Sequence, residues 1–193
     1  MSMNLVVCRS AAAAACHTTH LLCAAVEKKP ALVLGLATGA TMEPVYAMLR
    51  KRIADGRLDL SVATTFNLDE YIGLDRADPA SFHAVMRRLL FDAAGLGPQQ
   101  AHVPDGNAPD PQAAAQDYEA MIQAAGGIDL QLLGIGQNGH VGFNEPGTAF
   151  SSRCRVSMLA AQTRRANAPY FGGLEHVPKE ALTMGIVHRP RVS

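Results

Sequence analysis

The segment ALVLGLATGATMEPVYAMLRKRIA, residues 31–54, sets the pattern for the whole chain, because it holds a strand, a tight turn and a helix in that order. Residues 31–36 form an apolar run, which is typical of a short strand buried on both faces. The small residues at 37–41 suit a turn, and residues 42–54 predict an amphipathic helix that ends at Asp55 and Gly56. The segment is therefore one strand–helix step of a larger α/β arrangement.

The same alternation continues on both sides of this segment. We predict further strands at residues 4–8, 62–66 and 130–134 and further helices at residues 11–29, 79–91 and 112–125. Residues 67–78 and 95–111 are predicted to be irregular. Because strands that alternate with helices form a parallel sheet covered on both faces, the predicted fold class is α/β. We expect an open, doubly wound, mostly parallel sheet of the modified Rossmann-like type.

Length and charge limit the kinds of partner. The chain has 193 residues, and we predict a single domain over residues 1–193. Lys plus Arg and Asp plus Glu each total 17, so the formal net charge is zero. A balanced charge gives no field for wrapping a nucleic acid or holding an anionic membrane. With neither a signal-peptide pattern nor an apolar run of membrane-spanning length, we expect a cytoplasmic protein with no nucleic-acid or membrane partner.

The cysteines indicate a reducing compartment. The chain has four, none in a C-x-x-C pair, and we expect buried thiols. Cys16, His20 and Cys23 lie at helical spacing, where they could share one face and hold a metal. We expect no metal site, because Cys16 and Cys23 fit the apolar face of the predicted helix.

Ligands of doubly wound sheets bind outside the carboxyl ends of the strands, which directs attention to three loops. The first, residues 35–41, can present backbone N–H groups to an anion at the start of a helix, with the Thr38 and Thr41 hydroxyls as further donors. It lacks the Gly-Lys-Ser/Thr of a nucleotide P-loop. The alternative is an ordinary tight turn in which Thr41 caps the helix.

The second loop, residues 66–73, places Asp69 and Glu70 directly after a buried strand. A carboxylate at the edge of the sheet is partly desolvated, which raises its pKa and suits it to take a proton from carbon. The alternative is a solvated acidic pair that begins a loop.

The third loop, residues 134–146, carries glycines at the G-x-G-x-x-G spacing, yet it does not predict a dinucleotide site. Pro146 and Gly147 interrupt any helix there, and the next acidic residue after Glu145 is Glu175. The flexible backbone presents His140, with Glu145 five residues on, so His140 could act as an acid or base near neutral pH. The alternative is a structural histidine that caps the loop.

Taken together, the three loops resemble the signatures of the glucosamine-6-phosphate deaminase family, a group of glucosamine/galactosamine-6-phosphate isomerases. The matching segments are LGLATGAT at 34–41, FNLDEY at 66–71 and LGIGQNGHVGFNEP at 133–146. Residues 151–155, 163–167 and 177–185 resemble later segments of the family in the same order. The first signature is shared with 6-phosphogluconolactonases of the same fold, whereas the third is specific.

The resemblance implies conversion of glucosamine 6-phosphate and water to fructose 6-phosphate and ammonia, without a metal or organic cofactor. It implies that Asp69 moves the C2 proton toward C1. His140 would help to open the sugar ring, with Glu145 orienting it and Asn138 supporting it. The implied contacts to the phosphorylated sugar are Thr38, Gly39, Ala40, Thr41 and Gly139. The implied partner is therefore a small amino-sugar phosphate, and a homo-oligomer is compatible with a sequence that does not specify one.

The sequence departs from the family pattern in places that affect the phosphate. Ala40 replaces a family glycine, and its methyl group would crowd the phosphate if this position needs positive φ. Pro169 stands where some members place a phosphate-binding Arg, and we expect Arg164 or Arg165 to substitute.

The C-terminal end also departs from the pattern. Residues 187–193 match nothing in the family, so we expect a non-family tail and a chain that lacks the family's C-terminal part. Two alternatives follow: an inactive, truncated sugar-phosphate-binding remnant, or a 6-phosphogluconolactonase-like hydrolase of the same fold. Loss of the last units would also reduce stability and activity.

Overall fold

Parallel strands form the larger of two sheets in the structure, a computed structural model that describes residues 3–187. With strands numbered along the chain, this four-stranded sheet has the spatial order β4–β2–β1–β5. Its members are β1 Val33–Leu36, β2 Thr64–Asn67, β4 Ala101–His102 and β5 Leu130–Gln131. Gly35 lies opposite Phe66 of β2 and Gln131 of β5. Strand β1 is therefore a central strand, with β2 and β5 on either side of it.

A second, antiparallel sheet of three strands was not predicted. Its order is β3–β7–β6, with β3 at Asp69–Tyr71, β6 at Arg155–Met158 and β7 at Glu180–Thr183. The prediction of a loop over residues 67–78 is therefore wrong for β3. Two acidic residues and a tyrosine carry no strand pattern, and β3 forms because distant β7 supplies its hydrogen bonds.

The helices agree with the sequence prediction for the long segments. Three of them match it to within one residue at each end: α1 Ala11–Lys28, α2 Glu43–Ala54 and α5 Pro111–Ala124. The Ser10 hydroxyl accepts the Ala13 N–H and caps α1, while Asp110 caps α5 ahead of a proline at the first position. The remaining helices are short, α3 Phe82–Met86, α4 Asp92–Ala94 and α6 Ala161–Asn167.

The segment predicted as one helix over residues 79–91 is interrupted. It begins at Phe82, where Ser81 caps it, and passes through a π-helical turn, Arg87–Phe91, between α3 and α4. Leu89, Leu90 and Phe91 of this turn are buried in the main core. The wider turn brings these consecutive apolar residues into the core while Arg87 and Arg88 stay outside.

Two buried tyrosines tie the strand ends to the neighbouring helices. The Tyr46 hydroxyl of α2 donates to the carbonyl of Ala37 at 2.6 Å, directly after β1. The Tyr118 hydroxyl of α5 donates to the carbonyl of Asn67 at 2.8 Å, at the end of β2. These bonds fix the chain where it enters the first two site loops.

The α/β fold class with a parallel sheet is confirmed. The predictions for residues 4–8 and for the thiols fail wholly or in part, and the predicted tail lies almost entirely outside the described residues. Residues 4–8 are irregular rather than a strand, with Leu5 77% and Val7 86% exposed, since no strand of the described structure pairs with them. Cys16 is exposed and only Cys23 is buried, so the expectation of buried thiols holds for one of four. The predicted tail at 187–193 lies outside the described residues except for Val187.

Within residues 3–187, no helix combines the length and the apolar character required to cross a lipid bilayer. The same part of the chain holds no cluster of three or more His, Cys, Asp or Glu side chains arranged for a metal ion.

Candidate active site

A cavity of about 750 Å³ lies where the loop after β1, the strand β3 and the glycine-rich loop after β5 meet. This volume is within the range of small-molecule sites. The cavity is lined by six of the predicted site residues, Thr38, Gly39, Ala40, Thr41, Asp69 and His140. The neighbouring positions of β1, β2 and β5 bring these distant segments to one edge of the sheet.

An aromatic cluster forms another wall of the cavity. The ring of Tyr71 lies 4.8 Å from Phe82, 5.4 Å from Phe143 and 5.0 Å from Phe171, measured between centroids. All four residues line the cavity. They exclude water from the side on which Asp69 is placed, since Tyr71 and Asp69 belong to the same short strand.

Asp69 is buried rather than solvated. It is 5% exposed, and in the described part of the chain no hydrogen bond reaches its carboxylate. Burial, and after it the neighbouring charge of Glu70, raises the pKa of Asp69 to about 8. A carboxyl group with this pKa can both take and return a proton near neutral pH.

Glu70 has a structural position beside Asp69. Its carboxylate accepts the backbone N–H groups of Tyr71, Phe82 and His83, each at 2.9 Å, and so holds the start of α3. Burial raises the pKa of Glu70 to about 7, against the lowering effect of these hydrogen bonds. Since three donors stabilise its anionic form, Glu70 is the member of the pair that keeps the charge.

The tautomer of His140 follows from a chain of hydrogen bonds. The Asn138 amide nitrogen donates to Glu145 Oε2 at 2.8 Å, because a carboxylate can only accept. Asn138 Oδ1 therefore faces His140 Nδ1 at 2.6 Å, and that nitrogen must carry a proton to donate. Nε2 is then the nitrogen of neutral His140 that can accept a proton from a ligand.

Glu145 lies at the far end of this series of hydrogen bonds, beyond Asn138, and does not contact His140 directly. Its Oε1 accepts the Thr163 hydroxyl at 2.7 Å and the Ala160 N–H at 3.1 Å. Although burial opposes the effect, hydrogen bonds from Thr163, Asn138 and Ala160 lower the pKa of Glu145. The structure connects Glu145 to His140 through Asn138, and neither Asn138 nor Glu145 lines the cavity.

The glycines of this loop have defined steric tasks. A Cβ on Gly136 would overlap the imidazole ring of His140. Gly139 has φ +89°, in the region that favours glycine, and it does not line the cavity despite the implied substrate contact. Within the spacing that resembles a dinucleotide motif, Gly136 therefore leaves room for the imidazole ring of His140.

The loop at 38–41 leaves room for an anion. Gly39 has φ +124°, whereas every described non-glycine residue, Ala40 included, has negative φ. The condition under which the Ala40 methyl group would crowd the phosphate, a positive φ at this position, is therefore not met. Helix α2 has Met42 rather than Thr41 at its N-cap position, and no side chain caps it, so the alternative in which Thr41 caps the helix is also wrong.

Arg164 does not reach the cavity, which corrects its predicted phosphate contact. Its guanidinium Nη2 donates to the carbonyls of Leu174 at 3.1 Å and Val177 at 3.2 Å. Arg165 and Pro169 do not line the cavity either.

Sequence reasoning missed Arg88, which does line the cavity. Nothing in the sequence distinguishes Arg88 from the adjacent Arg87, because the packing of the helical segment decides which of the two side chains meets the cavity.

Residues 8–162 match the family of glucosamine-6-phosphate isomerases/6-phosphogluconolactonase. Among curated relatives, the glucosamine-6-phosphate deaminase of Rhodopirellula baltica is 52% identical over 161 residues, covering 83% of this chain and 64% of the relative. That of Halalkalibacterium halodurans is 50% identical, covering 83% and 65%. The chain therefore spans slightly less than two thirds of the length of these relatives.

Solved structures show the same fold. A monomeric glucosamine-6-phosphate deaminase superposes with a TM-score of 0.93 at 43% identity, covering 95% of this chain and 76% of that one. The 6-phosphogluconolactonase of Leishmania guyanensis gives a TM-score of 0.74 at 18% identity, covering 96% and 76%, and supports the fold alone. The chain belongs to the glucosamine-6-phosphate isomerase/6-phosphogluconolactonase family.

Proposed function

We propose that this chain converts glucosamine 6-phosphate and water to fructose 6-phosphate and ammonia. The observation that carries the proposal is one shared cavity lined by Asp69, by His140 and by the loop at 38–41. The relatives of about 50% identity are named glucosamine-6-phosphate deaminases, which supports the same reaction. The lactonase alternative has only a fold-level likeness at 18% identity.

The first chemical step is opening of the sugar ring. Neutral His140, with its Nδ1 proton held by Asn138, accepts the proton of the O1 hydroxyl at Nε2 and delivers a proton to the ring oxygen. The C1–O5 bond breaks and C1 becomes an aldehyde. The transient imidazolium is stabilised by the Asn138 carbonyl, which Glu145 polarises from behind.

Asp69 then carries out the isomerisation. Its carboxylate takes the proton from C2 while O1 takes a proton from the substrate's own ammonium group, which leaves a neutral enolamine. Protonated Asp69 then returns its proton to C1, which gives a protonated imine at C2 and restores the carboxylate. Water adds to C2 of the imine, and ammonia leaves as the C2 carbonyl of fructose 6-phosphate forms. The ammonium group of the substrate lies on the carbon that reacts, so its charge favours the ionised form of buried Asp69 on binding.

The loop at 38–41 holds the phosphate in this proposal. Backbone N–H groups at the uncapped start of α2 and the Thr38 and Thr41 hydroxyls can donate to phosphate oxygens. Anchoring the far end of the sugar fixes C1 and C2 near Asp69, so binding energy is used to position the reacting carbons. Every step uses this chain's side chains and water.

We further propose that this domain works in the cytoplasm on a small amino-sugar phosphate. Cys8, Cys16, Cys23 and Cys154 form no disulfide within residues 3–187, which fits a reducing compartment.

Ammonia release from glucosamine 6-phosphate, followed with coupled detection of fructose 6-phosphate, tests the proposed function. The wild-type chain should form both products in equal amounts, and Asp69→Asn should form neither. Asp117→Asn is the matched control, because Asp117 is an exposed aspartate on α5 outside this cavity. Products from Asp69→Asn at the wild-type rate would contradict the assignment of the base.

A further inference from the structure

Acidic side chains line the cavity and would repel the phosphate of a substrate unless a positively charged side chain also lines it. The carboxylates of Glu43 and Asp78 line the cavity, together with the buried carboxyl group of Asp69. A sugar phosphate carries a charge of about −1.5 to −2 at neutral pH. Within residues 3–187, Arg88 is the only Lys or Arg side chain that lines this cavity.

Arg88 rather than its neighbour lines the site, because adjacent residues of a helical turn project in different directions. Arg87 points the other way, pairing with Asp92 at 2.7 Å and lining a separate surface groove. Arg88 has no ion pair or hydrogen bond with any residue in the described part of the chain. Its guanidinium is exposed at the cavity and so remains available to a ligand.

Packing connects the turn to the phosphate loop. Arg50 of α2 donates from Nη1 to the carbonyl of Leu89 at 2.7 Å, which fastens the π-helical turn to the helix that follows residues 38–41. Leu89 itself lines the cavity next to Arg88. The guanidinium and the loop are thus carried by two elements held together by a direct bond.

We propose that Arg88 is a substrate-binding residue that donates its guanidinium N–H groups to the phosphate of the amino sugar, together with the donors of the loop at 38–41. This inference rests on the proposed function for the identity of the substrate. A guanidinium fork matches two phosphate oxygens at once, which a lysine cannot do. The contact supplies the positive charge that Arg164 was expected to give.

The test compares Arg88→Gln and Arg88→Lys with Arg87→Gln as the matched control. For glucosamine 6-phosphate, Arg88→Gln should raise KM about tenfold to a hundredfold, the effect of losing a charged hydrogen bond. The kcat should change less than about threefold, because the proposed contact is made to the phosphate and not to the carbons that exchange protons. The KM of Arg88→Lys should lie between those of Arg88→Gln and the wild type, and the KM of Arg87→Gln should equal that of the wild type. Equal unfolding midpoints would show that all variants fold.

Calorimetric binding of fructose 6-phosphate and of unphosphorylated fructose separates the two proposals. Arg88→Gln should weaken binding of the phosphate ester and leave fructose unaffected. If the wild type releases ammonia but Arg88→Gln has the KM and affinity of Arg87→Gln, the Arg88 proposal is overturned and the proposed function stands. If the wild type releases no ammonia but loses fructose 6-phosphate affinity on Arg88→Gln, the function fails and the phosphate contact stands. Absence of fructose 6-phosphate binding by the wild type would overturn both.

Discussion

Replacing Asp69 by asparagine should abolish turnover and should also remove a pH-dependent instability of the folded protein. Burial raises the pKa of Asp69 from its ordinary value of 3.8 to about 8. As pH rises past about 4, the unfolded chain releases this proton while the folded chain retains it until about pH 8. The group therefore stabilises the fold fully below about pH 4, and that contribution is lost as the pH rises to about 8.

The magnitude follows from the pKa shift. Each pKa unit corresponds to about 1.4 kcal/mol, so between pH 5 and pH 8 Asp69 lowers the free energy of unfolding by about 4 kcal/mol. That is a large share of the roughly 5–15 kcal/mol typical of a domain. The asparagine that replaces Asp69 has no proton to lose, and its unpaired amide costs about 1–3 kcal/mol at every pH. The pH dependence that remains in the variant includes contributions from Glu70, whose pKa burial also raises, and from His102, whose pKa burial lowers.

The assay is urea unfolding of wild type, Asp69→Asn and Asp117→Asn at pH 5 and pH 8. The wild type and Asp117→Asn should lose several kcal/mol between the two pH values, and Asp69→Asn should lose clearly less. A pH dependence of Asp69→Asn equal to that of the wild type would refute the argument that burial raises the pKa of Asp69.

Three further predictions concern the site. The kcat/KM for glucosamine 6-phosphate should rise with pH up to about 8, because the free enzyme must ionise Asp69; a profile already flat from pH 5 would contradict this. Asn138→Leu should lower kcat about tenfold or more with a smaller change in KM, since His140 Nδ1 loses its acceptor, as steady-state kinetics can show. Gly136→Ala should displace the His140 ring and lower kcat/KM, while Gly97→Ala, at an open position, should not; equal activities would exclude the steric role.

The glycine-rich third loop shows how far sequence reasoning reaches. Its residues lie within a few positions of one another, so the His140, Asn138 and Glu145 grouping is a local property of the chain. The sequence does not reveal that Glu145 acts on His140 through Asn138, because side-chain rotamers decide which of the two residues contacts the imidazole. The long helices were predictable for the same reason, since apolar spacing in α1, α2 and α5 and the capping residues of α1 and α5 are local features of the sequence.

The parts that the sequence did not reveal depend on distant partners. Strand β3 exists because β7 pairs with it across more than a hundred residues, and no local pattern marks Asp69–Tyr71 as a strand. Residues 4–8 have a strand-like pattern but no pairing in the described structure. Arg88 and Arg87 are identical in type and adjacent, and the packing of their helical segment against the rest of the fold assigns them to different surfaces.

The central claim is that three loops distant in sequence act on one phosphorylated amine. A crystal structure of Asp69→Asn soaked with glucosamine 6-phosphate tests it most directly. The phosphate should lie against residues 38–41, with C2 beside the substituted side chain at position 69 and C1 or the ring oxygen within reach of His140 Nε2. A sugar bound outside this cavity, or bound inside it with C1 and C2 turned away from both side chains, would contradict the account.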